Sequence, residues 1–172
     1  MANADQPRGF LPIGTMDGGE CVAHEYTVTT GATIYKGDPV IIETAGTVTV
    51  AAATSGIANV GIAAEYVSDS ASAGGKKILV YDSPNNLYEV QVTTAEALTQ
   101  ADVFGTSDIV AYAAGNATTG LSIMEIDNPA NSSLPWIILR LSPSPDNVWG
   151  QHAKVIVKPN CSVWNAGYAG LA

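Results

Sequence analysis

Residues 77–92 read KILVYDSPNNLYEVQV, and this stretch decides the fold class. Two runs rich in apolar, β-branched and aromatic residues flank the four residues Ser83-Pro84-Asn85-Asn86. Such runs favour strands, and Ser, Pro and Asn in succession favour a turn. The stretch therefore predicts a β-hairpin that turns at residues 83–86.

The same combination of short strand and turn extends in both directions along the chain. Residues 21–30 (CVAHEYTVTT) alternate between two faces, as expected for a half-buried strand. A second hairpin is predicted from PVIIET and GTVTVAAA around Ala45-Gly46, and Gly61 is expected at a bulge or a close backbone approach. WIILRLS (136–142) predicts a central strand, and HAKVIVK (152–158) predicts the last one.

One short helix is predicted within residues 93–104, with Thr93 or Thr94 as its cap and Glu96 in its first turn. The whole pattern predicts an all-β fold. It comprises a single barrel- or sandwich-like domain of about nine to ten short antiparallel strands, with one short helix and an extended N-terminal arm.

The first twenty residues contain two Pro and four Gly, which disfavour a helix, yet they also include Phe10, Leu11, Ile13 and Met16. We therefore expect an arm over residues 1–20 that packs on its own domain or on a neighbour. The β-domain is expected over 21–160 and a Gly/Ala-rich tail over 161–172. Trp164 and Tyr168 in this tail are predicted to lie in an oligomer interface.

Composition restricts the partners. Charged residues make up only 13% of the chain, which indicates either a surface that faces other subunits or one coated with Thr and Ser. The net charge of −9 and the lack of a basic stripe argue against a nucleic-acid partner. Residues 1–30 resemble no signal peptide, and no run of 18 apolar residues predicts a membrane span.

No motif for catalysis or cofactor binding is found in the sequence. Cys21, His24, His152 and Cys161 are zinc-ligand types, but residues 21 and 24 of a strand point to opposite faces, and the spacing of His152 and Cys161 is unsuitable. The cysteines are expected to be free buried thiols. We therefore predict no enzyme, no catalytic residue, no metal and no cofactor. A carboxylate pair across a cleft remains an alternative.

Several segments resemble, in their order along the chain, the head decoration (capsid cement) proteins of tailed bacteriophages. They are Asn3-Ala4-Asp5, Pro7, Gly9-Phe10, Pro12 and Asp17-Gly18 near the start, then Gly37-Asp38-Pro39-Val40, Gly61, residues 78–92, and Pro145-Asp146-Asn147 with Gly150, Ala153-Lys154 and Val157. The resemblance runs, with gaps, from residue 3 to about residue 160. The tail CSVWNAGYAGLA departs from it.

The resemblance implies a structural virion protein, made in the cytoplasm of a bacterial host, that binds the outer capsid surface as a homotrimer and stabilises the shell. The expected partners are the major capsid protein and further copies of the chain, with no membrane and no nucleic acid. Within the arm, Pro7, Phe10, Leu11, Pro12 and Ile13 are the predicted capsid-binding residues. The alternative function is a phage or bacterial surface module that binds a carbohydrate or a host receptor.

Overall fold

The computed structural model describes residues 3–52, 59–69, 74–93, 97–110, 115–127, 129 and 134–164. Within these ranges the chain forms sixteen strands and one 3-10 turn, which confirms the all-β prediction. The strands are β1 (Leu11–Thr15), β2 (Ala23–Thr27), β3 (Thr33–Ile34), β4 (Pro39–Ile42), β5 (Val48–Val50), β6 (Asn59–Ala63), β7 (Val67–Ser68), β8 (Lys77–Tyr81), β9 (Asn86–Gln91), β10 (Thr106–Ser107), β11 (Ile109–Val110), β12 (Gly115–Asn116), β13 (Leu121–Ser122), β14 (Glu125–Ile126), β15 (Trp136–Leu141) and β16 (Lys154–Pro159).

Two five-stranded antiparallel sheets form a sandwich. The front sheet has the order β1-β9-β16-β15-β10, and the back sheet has the order β2-β8-β6-β4-β5. Three two-stranded ladders, β3-β7, β11-β14 and β12-β13, complete the described strands. Nine of the strands in the described residues are three or more residues long, close to the predicted number.

The main core lies between the two sheets and contains the largest buried side chains. Phe10 packs on Trp136 with ring centroids 4.4 Å apart, and Tyr88 contacts both rings edge to face. Ile62 from the back sheet belongs to the same cluster. Aromatic side chains each bury a large apolar area, so this trio compensates for a chain that has only two Phe.

The centre of the back sheet, at β6, is buried on both of its faces. Ile41, Ile62 and Tyr81 face the main core, whereas Val40, Ile78 and Val80 belong to a second core beneath β3 and β7. Successive residues of a strand point to opposite faces, so a strand in this position is apolar almost throughout. All five residues of β6 are buried, as this arrangement requires.

The hairpin predicted from residues 77–92 is wrong, although both of its strands exist. β8 pairs with β2 and β6 in the back sheet, and β9 pairs with β1 and β16 in the front sheet. Residues 83–86 therefore carry the chain from one sheet to the other. Each strand already has two partners, which leaves no edge at which β8 and β9 could pair.

The second predicted hairpin is confirmed. β4 pairs with β5, and the turn between them is closed by the hydrogen bond from Glu43 N to Thr47 O (2.8 Å). The prediction for Gly61 is also confirmed. The pairing of β4 with β6 shifts register next to Gly61, and a Cβ at this position would lie 2.2 Å from Tyr81 O.

The predicted helix is much shorter in the structure. Residues 94–96 lie outside the described ranges, and the described part forms a single 3-10 turn at Gln100–Asp102. The cap of this turn is Thr99, which forms a capping box with Asp102, and not Thr93 or Thr94 as predicted. Phe104 then adopts a left-handed backbone (φ 68°), which ends the turn.

Candidate functional surface

The described residues before residue 20 pack on their own domain, which is one of the two alternatives expected for the N-terminal arm. Phe10 is fully buried, and its backbone N donates to Gly37 O at 2.9 Å. Leu11–Thr15 form β1 at the edge of the front sheet, where they pair with β9. Phe10 is therefore not available to a capsid while the domain is folded, because its side chain fills the main core.

A β-bulge determines which residues of β1 face outward. The register of β1 on β9 shifts between Pro12 and Gly14, so Ile13 is the extra residue. A bulge re-aims the side chain that it contains, and 48% of Ile13 is exposed. Leu11 and Pro12 are half-buried, as is Pro7. Of the five predicted capsid-binding residues, Ile13 is the most accessible large apolar side chain.

The chain reverses after β1 in a tight turn. Gly18 N donates to Thr15 O (3.0 Å), Gly19 N donates to Thr15 Oγ1 (2.8 Å), and Gly18 has φ 80°. Only glycine adopts this φ at little cost, which explains its place here. Met16 lies within this turn, and Val22 is the residue immediately before β2.

Ile13, Met16 and Val22, with the turn between them, define a surface that we call the N-terminal edge. Met16 is 54% exposed and Val22 is 61% exposed. Ile13 also lines an open groove of about 320 Å³, whose other lining residues are 12, 14, 19–21 and 81. Apolar side chains beside an open groove provide the kind of contact area that protein interfaces bury.

A polar cluster fastens the first residues to the domain. Gln91 Nε2 donates to Asp5 Oδ1 (3.0 Å) and to Glu125 Oε1 (2.9 Å), and Gln91 Oε1 accepts from Gln6 N (3.0 Å). His152 Nδ1 lies 3.5 Å from Asp5 Oδ1. Burial raises the pKa of Glu125, the hydrogen bond from Gln91 partly lowers it, and the charge of Asp5 raises it again.

The carboxylates of Asp5 and Glu125 and the imidazole of His152 could in principle hold a metal ion, since their ligand atoms lie within 4.8 Å of one another. However, Gln91 Nε2 lies 2.9–3.3 Å from all three groups and directs its two hydrogens at the carboxylates. The cluster is therefore a hydrogen-bond network whose centre is an amide. Sequence reasoning missed it because its members come from four distant segments.

Asn3 makes a second connection between the N-terminal residues and the loop before β16. Its Nδ2 donates to Val148 O and Gln151 O, both at 2.8 Å, and its Oδ1 accepts from Val148 N at 3.0 Å. The contacts of Asn3 are polar and exposed, and those of Asp5 and Gln6 with Gln91 are only partly buried. Residues 3–6 are thus held on the surface by hydrogen bonds, whereas residues 10–15 are held by the core and the sheet.

The four side chains considered for zinc are not brought together. His24 Nδ1 contacts the Asp82 carboxylate at 2.9 Å, and Cys21 Sγ donates to Gly14 O at 3.2 Å. Cys161 Sγ donates to Leu134 O at 3.7 Å. Both cysteines are half-buried rather than core residues, and burial raises the pKa of each thiol.

Of the two residues predicted at an oligomer interface, Trp164 is 55% exposed and Tyr168 lies outside the described residues. In the part of the chain that the structure describes, no helix has the length and apolarity needed to cross a bilayer.

Comparison of the chain with models of protein families, with curated proteins and with solved structures finds no match.

Proposed function

We propose that this chain is a structural virion protein that binds the outer surface of a bacteriophage capsid and stabilises the shell. The observation that carries the proposal is the N-terminal edge. Ile13, Met16 and Val22 are exposed, Ile13 lines an open groove, and β1 and Phe10 fix this part of the chain to the domain. A rigid apolar surface of this kind can bind without ordering a flexible chain first.

Two further features support the proposal. Only 13% of the residues are charged, as suits a surface that other subunits cover. In addition, two of the segments that resemble phage decoration proteins meet in the fold. A Cβ on Gly37 would lie 3.0 Å from Arg8 O and 3.3 Å from Phe10 N, so Gly9-Phe10 and Gly37-Asp38 require each other's conformation.

The alternative function, binding of a carbohydrate or a host receptor, rests on a different observation. Tyr35 and Tyr66 stack with their ring centroids 5.3 Å apart, and 39% of Tyr66 is exposed. However, Tyr35 packs between Tyr66 and Gly115, where a Cβ would lie 2.3 Å from the ring, and Gly120 packs against Tyr66. A sugar stacks on a free ring face, so we favour the capsid.

The test is co-sedimentation with empty shells of the phage that encodes this chain, prepared without the protein. We expect the wild type to pellet with shells and the I13T/M16Q/V22T variant to bind about tenfold more weakly or worse, because three apolar contacts are lost.

The control variant, L79Q/I123T/V148T, changes three exposed apolar residues elsewhere and is expected to bind within about twofold of the wild type. A wild-type protein that stays in the supernatant at every shell concentration would show the proposed function to be wrong.

A further inference from the structure

We propose that Asp5, Gln91, Glu125 and His152 form a pH-dependent latch, which holds residues 3–6 on the domain at mildly acidic pH and releases them as the pH rises. The inference comes from the geometry of the polar cluster that fastens these residues and from the charges of its members. It does not depend on the proposed function, because it concerns the attachment of the segment and not its partner.

The fixed part of the latch is positioned by the strands of the domain. Gln91 is the last residue of β9 and is only 3% exposed. β14 bridges the residue after Gln91 and so brings Glu125 beside it. The hydrogen bond from Val92 N to Ala153 O (2.9 Å) does the same for His152, which has a left-handed backbone (φ 55°) that is uncommon for a residue with a side chain. The amide, the carboxylate and the imidazole are thus held in place independently of residues 3–6.

Asp5 is the moving part of the latch. Its side chain is 58% exposed, and its Oδ1 accepts from Gln91 Nε2 (3.0 Å) and lies 3.5 Å from His152 Nδ1. The other described hydrogen bonds of the segment come from Asn3 and from Gln6 N, and none of them is fully buried. Contact with the main core begins only at Phe10. Residues 3–6 can therefore detach without unfolding the domain, as local opening requires.

Two carboxylates share one amide nitrogen in the closed latch. Gln91 Nε2 donates to Asp5 Oδ1 and to Glu125 Oε1 (2.9 Å), and carboxylate oxygens of the two acids lie within 4.8 Å of each other. Like charges at this distance repel each other, most strongly where water is partly excluded. Accordingly, burial raises the pKa of Glu125, and the charge of Asp5 raises it further, whereas the charge of His152 lowers it.

The docked Asp5 therefore favours protons on both of its neighbours. Its negative charge opposes the ionisation of Glu125 and attracts the imidazolium form of His152. Because the coupling between two binding events is reciprocal, a proton on either neighbour favours the docked Asp5 by the same factor. The latch closes with proton uptake as the pH falls. It opens as the pH rises, when Glu125 becomes charged and His152 becomes neutral.

The other charged groups on the elements around the latch act on it from farther away. They are Arg8, Glu89, Lys154, Asp108 and Asp127. The first three line the small cavity beside Gln91, and the last two lie together at the end of the β11-β14 ladder, where Asp127 N donates to Asp108 O (3.0 Å). The charges that act on Glu125 are those of Asp5 and His152, so these three groups control the latch.

The experiment follows the backbone amide of Gln6 by NMR in the full chain, between about pH 5 and about pH 7.5. The heteronuclear Overhauser effect of this amide reports whether the segment is ordered, and the carboxyl carbon shift of Glu125 reports its titration. The variants are D5N and E125Q, with E20Q as the control, since Glu20 is an exposed acid of the N-terminal residues outside the latch. The remaining amide resonances show that each variant is folded.

We expect the Gln6 amide of the wild type to be ordered at the acidic end and mobile at the other, with the ratio of open to closed latch rising about tenfold. E20Q should behave in the same way. E125Q should keep the segment ordered to higher pH, because its amide cannot ionise.

D5N should flatten the dependence on pH and lower the pH at which Glu125 titrates, because the charge that acts on both neighbours is gone. A Gln6 amide whose order stays constant or rises with pH would overturn the inference. A D5N variant that keeps the full dependence of the wild type would overturn it as well.

Discussion

At the scale of single residues, Asp38 is an unusual ionisable group. It is fully buried just before β4, and among the described residues its Oδ1 has no hydrogen-bond partner. Its Oδ2 accepts from Tyr35 N at 2.8 Å. Burial raises the pKa of Asp38 to about 6, and hydrogen bonds from Ser122 and Tyr35 offset only part of this effect.

The raised pKa of Asp38 has a defined consequence for stability. The folded protein holds this proton more tightly than the unfolded chain, so the contribution of Asp38 is most favourable at low pH. It is lost as pH rises from about 4 to about 6. The loss amounts to at most about 3 kcal/mol, since one pKa unit corresponds to about 1.4 kcal/mol.

The Asp38→Asn variant tests this consequence. The amide oxygen of the new side chain can still accept from Tyr35 N, and the amide stays neutral at every pH. We expect the free energy of unfolding of the variant, relative to the wild type, to increase between pH 4 and pH 6 by about 1–3 kcal/mol. Urea unfolding at several pH values measures this difference. A difference that stays constant or falls with pH would contradict the assignment.

At the scale of elements, the N-terminal segment consists of two parts with different attachments. Residues 3–6 are held by hydrogen bonds of Asn3 and Gln91, whereas Phe10 and β1 are held by the main core and by pairing with β9. Exposed hydrogen bonds contribute little to stability, and a buried aromatic ring contributes several kcal/mol.

Two deletions separate these parts. Deletion of residues 2–8 is expected to leave a folded domain with a midpoint of thermal unfolding only a few degrees lower. Deletion of residues 2–14 also removes Phe10, which alone should cost about 3–5 kcal/mol, together with most of β1. Circular dichroism melts distinguish the two. A longer deletion that melts like the wild type would show that Phe10 is dispensable.

At the scale of the whole molecule, the sandwich has four edge strands among the described residues: β1 and β10 of the front sheet, and β2 and β5 of the back sheet. Exposed edges favour association with further strands or copies, and a closed ring of identical copies is one way to cover them. Pro12 and the bulge at Ile13 hinder the pairing of β1 with strands of other molecules.

The resemblance to phage decoration proteins implies a homotrimer, so we expect the purified chain to have the mass of three copies by analytical ultracentrifugation. Trp164→Ser should shift the assembly towards monomers at micromolar concentration, because an interfacial Trp often contributes about 2 kcal/mol or more. Phe104→Ser is the control, since Phe104 is an aromatic residue that is 71% exposed elsewhere. A wild-type monomer at all concentrations would contradict the trimer.

The part of the fold that could be predicted is the part that depends on neighbours in sequence. Turn residues and apolar runs located β4, β5, β6, β15 and β16, and they located β8 and β9 even though the pairing of those two was wrong. Gly61 could be recognised because a glycine inside an apolar strand indicates a close backbone approach. The helix was overestimated, since its described part is a single turn capped at Thr99.

The candidate surfaces could be predicted only in part. Phe10 and Ile13 were both predicted to bind the capsid, but Ile13 is exposed whereas Phe10, three residues earlier in the same apolar segment, lies in the core. Nothing in the local sequence distinguishes these two residues. Their different exposure results from the pairing of β1 with β9 and from the bulge at Ile13.

The sequence by itself determined the secondary structure class, the positions of most long strands and the low proportion of charged residues available to the surface. Periodicity and turn chemistry act over a few residues, so they can be recognised without a fold. Only the tertiary structure decided which sheet each strand joins, where Phe10 lies, and how Asp5, Gln91, Glu125 and His152 meet. Those outcomes depend on contacts between residues far apart in the sequence, such as Asp5 and Gln91, which are 86 positions apart, and such contacts leave no local pattern.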